Sequence, residues 1–392
     1  MNSHFPPSIL DNDMYKFTMQ QFAVANYPDA VAEYQFINRG NDRFNADFVK
    51  DLKQQVLEFP KLKLQPSELS WLKSLPWVKH WYPDFLANYV YDPTEVTINL
   101  NEDNNLDLKV AGPWHHAILW EVPLLALISA NYYTSLDRNW YRDESICQSQ
   151  LEQKFNTFDK ADCSIVEFGT RRRRDFWTQN LVIDLGRQHQ SFKGTSNMYL
   201  AMQYGLEAKG TQAHELFQAE SALNSLLHAN RFTLQEWVDF YQGKLGIALT
   251  DTYGLEAFFA DFNGLLARVY DGLRHDSGSP FIFVDKAIAH YQALGINPLT
   301  KIAFFSDNLN VEKVLAIKQY CSGKMPAVFG IGTNLTNDYA YCNSKALNIV
   351  IKMYKMNGCH VVKISDEPAK ACGDRQAISS ALNTFLQQLL DK

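Results

Sequence analysis

SIVEFGTRRRR, from Ser164 to Arg174, is a short apolar, β-prone run that ends abruptly in Gly, Thr and Arg. Similar runs follow it: LEAKGTQAH from Leu206, IALTDT from Ile247, RVYDGLRHDSG from Arg268, KIAFFSDN from Lys301 and AVFGIGTN from Ala327. Four of the five gaps between runs hold a segment of helical length. Strands that alternate with helices predict a parallel sheet with helices outside it. When such a sheet closes, its working residues lie at the carboxyl ends of the strands, so we expect chemistry at these polar tips.

The repeated arrangement sets the predicted domains. Residues 146–345 are predicted to form a barrel-like α/β catalytic domain. Residues 1–145 lack the repeat and contain EVTINL and LDLKVAG on either side of the polar NEDNN, which predicts a β-hairpin in a separate α+β domain. Residues 346–392 contain two more β-prone runs, split by the hairpin signal Asn357-Gly358. This last segment either closes the barrel or returns to the N-terminal domain.

Composition narrows the class of protein. The chain has 392 residues, of which 46% are hydrophobic, and a net charge of −6, which argues against a nucleic-acid binder that works through bulk charge. The start lacks the basic and apolar regions of a signal peptide, and the six cysteines form no CxxC pair. A reduced, cytoplasmic location is therefore expected. The most apolar stretch, from Ala117, is interrupted by Glu121 and Pro123 and predicts a core helix, so no membrane association is expected.

Four consecutive arginines, 171–174, follow the first run directly. A solvated basic turn is an equally simple interpretation of such a run. At a strand tip, however, guanidinium groups can form bidentate pairs with a carboxylate or a phosphate. An anionic substrate is therefore the favoured interpretation.

His214 stands where the second run passes into a helix-like segment. A lone histidine is more often structural than catalytic, but a neutral imidazole near pH 7 can act as a nucleophile or as a base. His214 is the best nucleophile candidate in the chain. The adjacent His115 and His116 diverge on any regular element, and His228 and His275 lack a second ligand at useful spacing, so no zinc site is predicted.

Asp251, Asp276 and Asp307 each end a different run. Each also lies just ahead of a helical segment, so helix N-capping is the simple alternative. Three acids on one rim could instead hold Mg²⁺ with a diphosphate, or bind ribose hydroxyls. Arg274 lies two residues before Asp276, which on a strand puts both side chains on one face.

The last run ends in Gly330-Ile-Gly332-Thr333, which offers small residues and backbone N–H groups of the kind that cradle a phosphate. The stretch lacks the full dinucleotide fingerprint and the P-loop pattern, so neither of those sites is predicted.

Taken in order, these motifs resemble those of the nicotinate phosphoribosyltransferase family. The matching stretches are LDNDMYK from Leu10, EFGTRRRR from Glu167, FKGTSN from Phe192, GTQAH from Gly210, LTDT from Leu249, RHDSG from Arg274, SDNLN from Ser306, FGIGTN from Phe329 and KISD from Lys363. Each is unspecific alone. Their order and joint presence are specific, and they span nearly the whole chain.

The resemblance implies an ATP-dependent, ligase-type enzyme of NAD salvage. It would join nicotinate to 5-phosphoribosyl 1-diphosphate, giving nicotinate mononucleotide and diphosphate. The implied fold is an irregular, TIM-like α/β barrel with a second α+β domain built from both ends of the chain, usually in a homodimer. ATP is the implied cosubstrate, and Mg²⁺ would be held by Asp251 or by the substrate phosphates. The family's transiently phosphorylated histidine carries over to His214.

Nicotinate is a flat ring that bears a carboxylate, so it needs an aromatic face and a cation. Tyr15 and Phe168 are predicted to stack on the ring, and Arg171 and Arg274 to neutralise the carboxylate. The resemblance adds Thr211 to this site.

The remaining predicted site residues fall into two groups. Phosphoribosyl and diphosphate binding is assigned to Asp251, Ser306, Asp307, Gly330, Gly332 and Thr333. Catalysis is assigned to His214, Arg274 and Asp276.

Two departures from the family pattern stand out. The resemblance predicts Asp-Ser-Gly-Asp-Pro where this chain has Asp276-Ser-Gly-Ser279-Pro280, which leaves Ser279 without a role. Relatives that use nicotinamide carry Asp at the position of Ser196. A serine there, without a repelling charge, suits a carboxylate substrate and favours nicotinate over nicotinamide.

Alternatives remain open at this point. The chain could use nicotinamide or quinolinate on the same barrel, or sense NAD precursors without catalysis, which only Ser279 encourages. A generic barrel hydrolase is the weakest alternative, because no carboxylate pair can be assigned as acid and base. The pattern does not show which of Arg172, Arg173 and Arg174 meets ATP or diphosphate. Nor does it show whether Glu207 or Glu215 orients His214.

Overall fold

The computed structural model describes residues 4–137, 139–367 and 370–390. Its helices are α1 (Met14–Asn26), α2 (Ala46–Val56), α3 (Pro66–Ser74), α4 (Tyr82–Asn88), α5 (Trp114–Ala117), α6 (Glu121–Ser135), α7 (Glu144–Lys160), α8 (Phe176–Gly186), α9 (Met198–Tyr204), α10 (His214–Leu223), α11 (Ala229–Tyr241), α12 (Leu255–Asp261), α13 (Gly264–Val269), α14 (Pro280–Ala293), α15 (Val311–Cys321), α16 (Thr333–Thr336) and α17 (Arg375–Leu390). Its strands are β1 (Val31–Asn38), β2 (Val96–Leu100), β3 (Leu106–Pro113), β4 (Ile165–Glu167), β5 (Phe192–Thr195), β6 (Ile247–Leu249), β7 (Gly272–His275), β8 (Ile302–Phe305), β9 (Ala327–Ile331), β10 (Ile349–Met356) and β11 (Cys359–His360). Single 3₁₀ turns lie at Phe59–Lys61, Pro93–Glu95, Ile118–Trp120, Thr170–Arg172, Pro298–Thr300 and Ala340–Cys342.

Internal contacts divide the chain into two compact units. The first comprises Met1–Asp159, Ile165–Gly210 and Ile331–Lys352, and the second comprises Lys160–Ser164, Thr211–Gly330 and Met353–Lys392.

The first unit contains antiparallel strands from both ends of the chain. β2 and β3 form the predicted hairpin, with Val96 opposite Val110 and Leu100 opposite Leu106. β1 pairs with β3 in antiparallel fashion, and β10, which belongs to the C-terminal segment, follows in the order β10-β1-β3-β2. The prediction of an α+β part assembled from both chain ends is therefore confirmed.

α6 is the predicted core helix of the apolar stretch. Its side chains are buried over almost its whole length, and even Glu121 at its start is largely covered. Across the described ranges, no helix combines the length and the apolar character that a membrane crossing requires.

β4 and β5 form a parallel pair in the first unit, and β5 corrects one prediction. The run from Leu206 is not a strand, because only Ala208 makes an isolated bridge there, to Thr195 at the end of β5. Gly194 in β5 has φ +131°, and a Cβ on it would lie 2.3 Å from the carbonyl oxygen of Glu207. The two stretches thus approach backbone to backbone, and Phe192–Thr195 is the one that forms a strand.

The second unit repeats strand and helix as predicted. Its parallel strands follow the order β9-β8-β7-β6, with α12 and α13 between β6 and β7, α14 between β7 and β8, and α15 between β8 and β9. Apolar side chains such as Ala248, Leu273, Ala303 and Phe305 are buried along these strands. The α/β class with parallel and antiparallel sheets is confirmed, while closure of the parallel strands into a barrel stays a prediction.

The Asn357-Gly358 hairpin is also present. Both residues have positive φ, 48° and 76°, as a tight two-residue turn requires, and they join β10 to the very short β11.

Candidate active site

A cluster of charged side chains surrounds Tyr15 in the first unit, and we call Asp13, Tyr15, Lys16, Glu121 and Arg171 the Tyr15 cluster. Lys16 Nζ lies 2.6 Å from Glu121 Oε2 and Arg171 Nη1 lies 3.4 Å from Glu121 Oε1. The Arg171 guanidinium carbon is 5.8 Å from the centre of the Tyr15 ring. An aromatic face and a cation, the two groups that a flat carboxylate substrate needs, therefore stand side by side.

The two acids of the Tyr15 cluster have different environments. Burial opposes ionisation of Glu121, but the charges of Lys16 and Arg171 hold its pKa below the ordinary value. Burial raises the pKa of Asp13, and the cation recorded beside it among the described residues is Arg171, at 3.8 Å.

Ser196 contacts this second acid. Its Oγ donates a hydrogen bond of 2.7 Å to Asp13 Oδ1, and both side chains are buried. The hydroxyl proton of Ser196 is therefore committed to Asp13. The substrate preference argued from Ser196 thus depends on the charge state of the carboxyl behind it.

The four arginines have separate environments. Arg173 makes a buried bidentate pair with Asp11, at 2.7 and 2.6 Å, and Arg174 lies over the ring of Tyr133 at 3.6 Å. Burial lowers the pKa of Arg172 to about 10, helped by the charge of Arg171. A solvated basic turn is therefore the wrong interpretation of this run, and Arg173 and Arg174 serve the fold.

The other predicted residues of the first unit lie around the end of β4. The N–H of the half-buried Phe168 donates to the carbonyl of Ile331 at 2.8 Å. Gly332 directly precedes α16, which begins at Thr333, and a Cβ on Gly332 would lie 3.3 Å from the carbonyl oxygen of Phe168. Gly332 thus permits close approach of two backbones. Gly330 is buried on β9 in the second unit.

Four side chains surround the imidazole of His214 in the second unit, and we call His214, Asp251, Thr252, Asp276 and Lys363 the His214 cluster. His214 Nδ1 lies 3.1 Å from Thr252 Oγ1. His214 Nε2 lies 2.8 Å from Lys363 Nζ and 3.0 Å from Asp276 Oδ2, with Asp251 Oδ1 at 3.7 Å. The tips of β6 and β7 therefore meet as predicted, and His214 joins them from the first residue of α10 although the run before it is not a strand.

Electrostatics keep this imidazole neutral. Burial, followed by the Lys363 charge, lowers the pKa of His214 to about 4. Burial opposes ionisation of Asp276, but the hydrogen bond to His214 and the charges of Arg274 and Lys363 hold its pKa well below the ordinary value. The cluster therefore combines a neutral imidazole with an ionised carboxylate and an ammonium.

Ligand atoms of His214, Asp251 and Asp276 all lie within 4.8 Å of one another, which is the geometry of a metal site. Lys363 Nζ, however, is 2.8 Å from His214 Nε2 and 2.9 Å from Asp251 Oδ2. An ammonium in that position repels a divalent cation. The donor set therefore does not fit Mg²⁺ while Lys363 is in place.

Two serines attach the segment of Lys363 to the strand tips. Ser277 Oγ donates to Asp251 Oδ2 at 2.5 Å, and Ser365 Oγ donates to Ser277 Oγ at 2.8 Å. The N–H of Ile364 also donates to the carbonyl of Thr252 at 2.8 Å. These bonds place Lys363 of the KISD motif beside His214. The sequence alone predicted no role for this lysine.

Arg274 and Thr211 contact backbone carbonyls. Arg274 Nη1 donates to Gln212 at 3.0 Å, while its Nε is buried and makes no hydrogen bond within the described residues. Thr211 Oγ1 donates to Ile247 at 2.8 Å. Arg274 therefore keeps a donor for a ligand.

Ser306 and Asp307 differ in their contacts. Ser306 Oγ donates to Asp276 Oδ1 at 2.6 Å, which connects it to the His214 cluster. Asp307 Oδ1 pairs with Lys370 Nζ at 2.6 Å.

Helix capping does not explain the three acids. The N-caps of α12, α14 and α15 are Gly254, Ser279 and Asn310, and none is Asp251, Asp276 or Asp307. Ser279 accepts a hydrogen bond from the N–H of Ile282, so the residue that departs from the family pattern has a structural role.

Neither glutamate suggested by the sequence orients His214. Its ring nitrogens contact Thr252, Asp276 and Lys363, whereas Glu207 pairs with Lys209. Glu215 follows His214 directly on α10 and is buried without contacting the ring.

Two family models match the chain. The model of the nicotinate phosphoribosyltransferase (NAPRTase) family matches residues 163–389, and the model of the NAPRTase N-terminal domain matches residues 10–129.

Whole-length relatives point the same way. A nicotinate phosphoribosyltransferase of Methanosarcina mazei is 43% identical over 95% of this chain and 97% of its own. One of Chromohalobacter salexigens is 41% identical over 95% and 97%. The solved nicotinate phosphoribosyltransferase of Porphyromonas gingivalis has a TM-score of 0.94 and 34% identity, and covers 97% of this chain and 100% of its own. That of Vibrio cholerae has a TM-score of 0.93 and 32% identity, with 100% and 97% covered.

Proposed function

The chain belongs to the nicotinate phosphoribosyltransferase family, and we propose that it couples transfer of the phosphoribosyl group to nicotinate with ATP hydrolysis through a phosphohistidine at His214. Phosphoribosyl transfer to nicotinate, a step of NAD synthesis, is the activity of the family. The ATP coupling and the covalent intermediate are the proposal. Homodimeric assembly and a cytoplasmic location accompany it as expectations.

The position of the His214 imidazole, 2.8 Å from Lys363 Nζ and 3.0 Å from Asp276 Oδ2, is the observation that carries the proposal. With a pKa of about 4, the ring keeps a nitrogen lone pair at neutral pH, which attack on phosphorus requires. The lone pair would attack the γ-phosphorus of ATP, the bond from that phosphorus to the bridging oxygen would break, and ADP would leave with those electrons. Asp276, 3.0 Å from Nε2, would then balance the positive charge that the phosphorylated ring acquires.

Lys363 is the cation for the transferred phosphoryl group in this proposal. Its ammonium is held between His214 Nε2 and Asp251 Oδ2 and is almost fully buried. A phosphoryl group on the ring would bring negative charge into this space, where an ammonium stabilises it. Since Lys363 neutralises Asp251, Mg²⁺ would enter with the phosphates of ATP or phosphoribosyl diphosphate, where it would neutralise their charge.

Substrate binding follows the geometry of each unit. We assign the ring of nicotinate to Tyr15 and Phe168 and its carboxylate to Arg171 in the first unit. In the second unit, Arg274 has an Nε without a hydrogen bond among the described residues and stays a predicted cation for an anionic substrate group. Of the three arginines left open by the sequence, Arg172 is the candidate for ATP or diphosphate, since Arg173 and Arg174 are engaged elsewhere.

Labelling with γ-³²P-ATP tests the proposal. We expect an acid-labile label on the wild-type chain and none on His214→Ala. His228→Ala, which removes a histidine paired with Asp261, is the matched control and should be labelled like the wild type. Label on His214→Ala, or an active wild type that is never labelled, would refute the phosphohistidine. Initial rates with nicotinate, nicotinamide and quinolinate test the substrate, and a preference for nicotinamide would contradict the role given to Ser196.

A further inference from the structure

The charges of the Tyr15 cluster balance before any substrate binds. When Asp13, Glu121, Lys16 and Arg171 are all ionised, two negative charges face two positive ones. A nicotinate carboxylate at Arg171 would add one negative charge beside largely buried acids. An uncompensated charge in such a place is costly, and protonation of a neighbouring acid is the usual way to remove it.

We propose that nicotinate binds together with one proton, which Asp13 takes up. The inference rests on the proposed function, because it needs the nicotinate carboxylate at Arg171. Asp13 Oδ1 accepts the hydroxyl of Ser196 at 2.7 Å, and Asp13 Oδ2 is 3.8 Å from Arg171 Nε, too far for a hydrogen bond. The substrate carboxylate would compete with Asp13 for this arginine and leave the buried carboxyl without a cation.

The other acids near the cluster are less suited to take the proton. Glu121 retains Lys16 at 2.6 Å whether or not Arg171 turns to the substrate. Asp11 is neutralised by its bidentate pair with Arg173.

Glu167 is the closest competitor. Burial raises its pKa to about 7, but its carboxylate accepts hydrogen bonds from Thr195, Gln179 and the N–H of Gly169. Three donors favour its ionised form, and no described cation pairs with it that the substrate could remove.

The groups facing Asp13 come from every neighbouring element. They are Glu167 at the end of β4, Thr170 and Arg171 from the turn after it, Glu121 from α6, and Ser196 after β5. Burial already raises the pKa of Asp13, and the loss of Arg171 to the substrate would raise it further. Nicotinamide carries no charge and would bind without a proton. Binding of nicotinate would therefore depend on the protonation of Asp13, whereas binding of nicotinamide would not.

Calorimetry of nicotinate binding to the full chain tests this inference. Titrations at about pH 7.5 are carried out in buffers of different ionisation enthalpy. The observed binding enthalpy is plotted against the ionisation enthalpy of the buffer, and the slope gives the number of protons taken up per nicotinate bound. We expect a slope near one proton for the wild type and near zero for Asp13→Asn. The KM for nicotinate should rise by up to about tenfold per pH unit above the pKa of Asp13 in the wild type, and stay flat in Asp13→Asn.

Further variants keep the test decisive. Asp29→Asn, an exposed aspartate after α1, should match the wild type. If proton uptake persisted in Asp13→Asn and disappeared in Glu167→Gln, Glu167 would be the proton acceptor, and the assignment to Asp13 would be wrong. The wild type could also turn over nicotinate with no proton uptake and with a KM that does not change with pH. That result would overturn the inference and leave the proposed function intact. A wild type that does not turn over nicotinate would refute the proposed function itself.

Discussion

In the His214 cluster, a contact between residues far apart in the sequence affects the pKa of the histidine. Lys363 lies 149 positions after His214, yet its ammonium is 2.8 Å from the imidazole. Burial alone would lower the pKa of the ring, and the ammonium lowers it further. The reactive state of the histidine therefore depends on a segment near the end of the chain.

Replacing Lys363 by methionine should impair phosphorylation of His214. The variant loses the ammonium that would donate a charge-assisted hydrogen bond of about 1.5–3 kcal/mol to the transferred phosphoryl group, which corresponds to a roughly ten- to hundredfold slower labelling by γ-³²P-ATP. The pKa of His214 should also rise, because the Lys363 charge is one of the causes that lower it, although burial remains. On acidification, labelling of the variant should therefore decline at a higher pH than labelling of the wild type. Lys286→Met, which removes an exposed lysine paired with Glu256, is the control, and equal labelling of both variants would contradict the role of Lys363.

The sequence predicted the residues of local motifs better than their partners. Asp251 and Asp276 meet because they follow neighbouring parallel strands whose carboxyl ends share one edge, which periodicity predicted, whereas His214 follows no strand and reaches them as the first residue of α10. Lys363 and Asp13 stand in quoted motifs, but their contacts depend on tertiary packing that no spacing encodes. Glu121 did carry a signal, since a charge inside an apolar helix demands a buried partner, and Lys16 is that partner.

At the scale of elements, β5 shows where pattern reading fails. The run from Leu206 resembled the other runs mainly in its polar Gly-Thr end, since its Glu, Ala and Lys are depleted in strands, and β5, which reads Phe-Lys-Gly-Thr, carries little hydrophobic signal either. What makes β5 a strand is its pairing with β4 and the absence of a side chain at Gly194. Close contact between two backbones can therefore outweigh the strand propensity of the side chains, and in the sequence it is indicated only by a glycine.

Gly194→Ala should therefore destabilise the protein strongly. The new Cβ would lie 2.3 Å from the carbonyl oxygen of Glu207, and φ +131° is strained for alanine, so a loss of about 3 kcal/mol or more is expected. Gly205→Ala is the matched control, because Gly205 also has positive φ, 63°, but nothing within 4 Å of a Cβ. It should cost about 1 kcal/mol. Urea unfolding measures both losses, and equal values would show that the contact with Glu207 is easily relieved.

At the scale of the whole molecule, Glu167 and His214 are two of the buried ionisable groups in the described residues, and their effects on stability oppose each other. Burial raises the pKa of Glu167, in the first unit, to about 7, so between about pH 4.5 and 7 the folded chain binds a proton there that the unfolded chain does not. Stability from this group falls as pH rises through that window. Burial lowers the pKa of His214, in the second unit, to about 4, so between about pH 4 and 6.5 the unfolded chain binds the extra proton. Stability from His214 rises as pH rises.

The two effects should nearly cancel in the wild type between about pH 4.5 and 6.5, and single variants should separate them. Across these two pH units each group contributes about 3 kcal/mol to the free energy of unfolding. Relative to the wild type, His214→Gln should lose stability as pH rises, and Glu167→Gln should gain it. Urea unfolding followed by tryptophan fluorescence at several pH values measures the slopes, and the double variant should return to the wild-type slope. If all four proteins had the same slope, neither group would be perturbed by the fold, and the neutral imidazole on which the phosphohistidine depends would lose its physical basis.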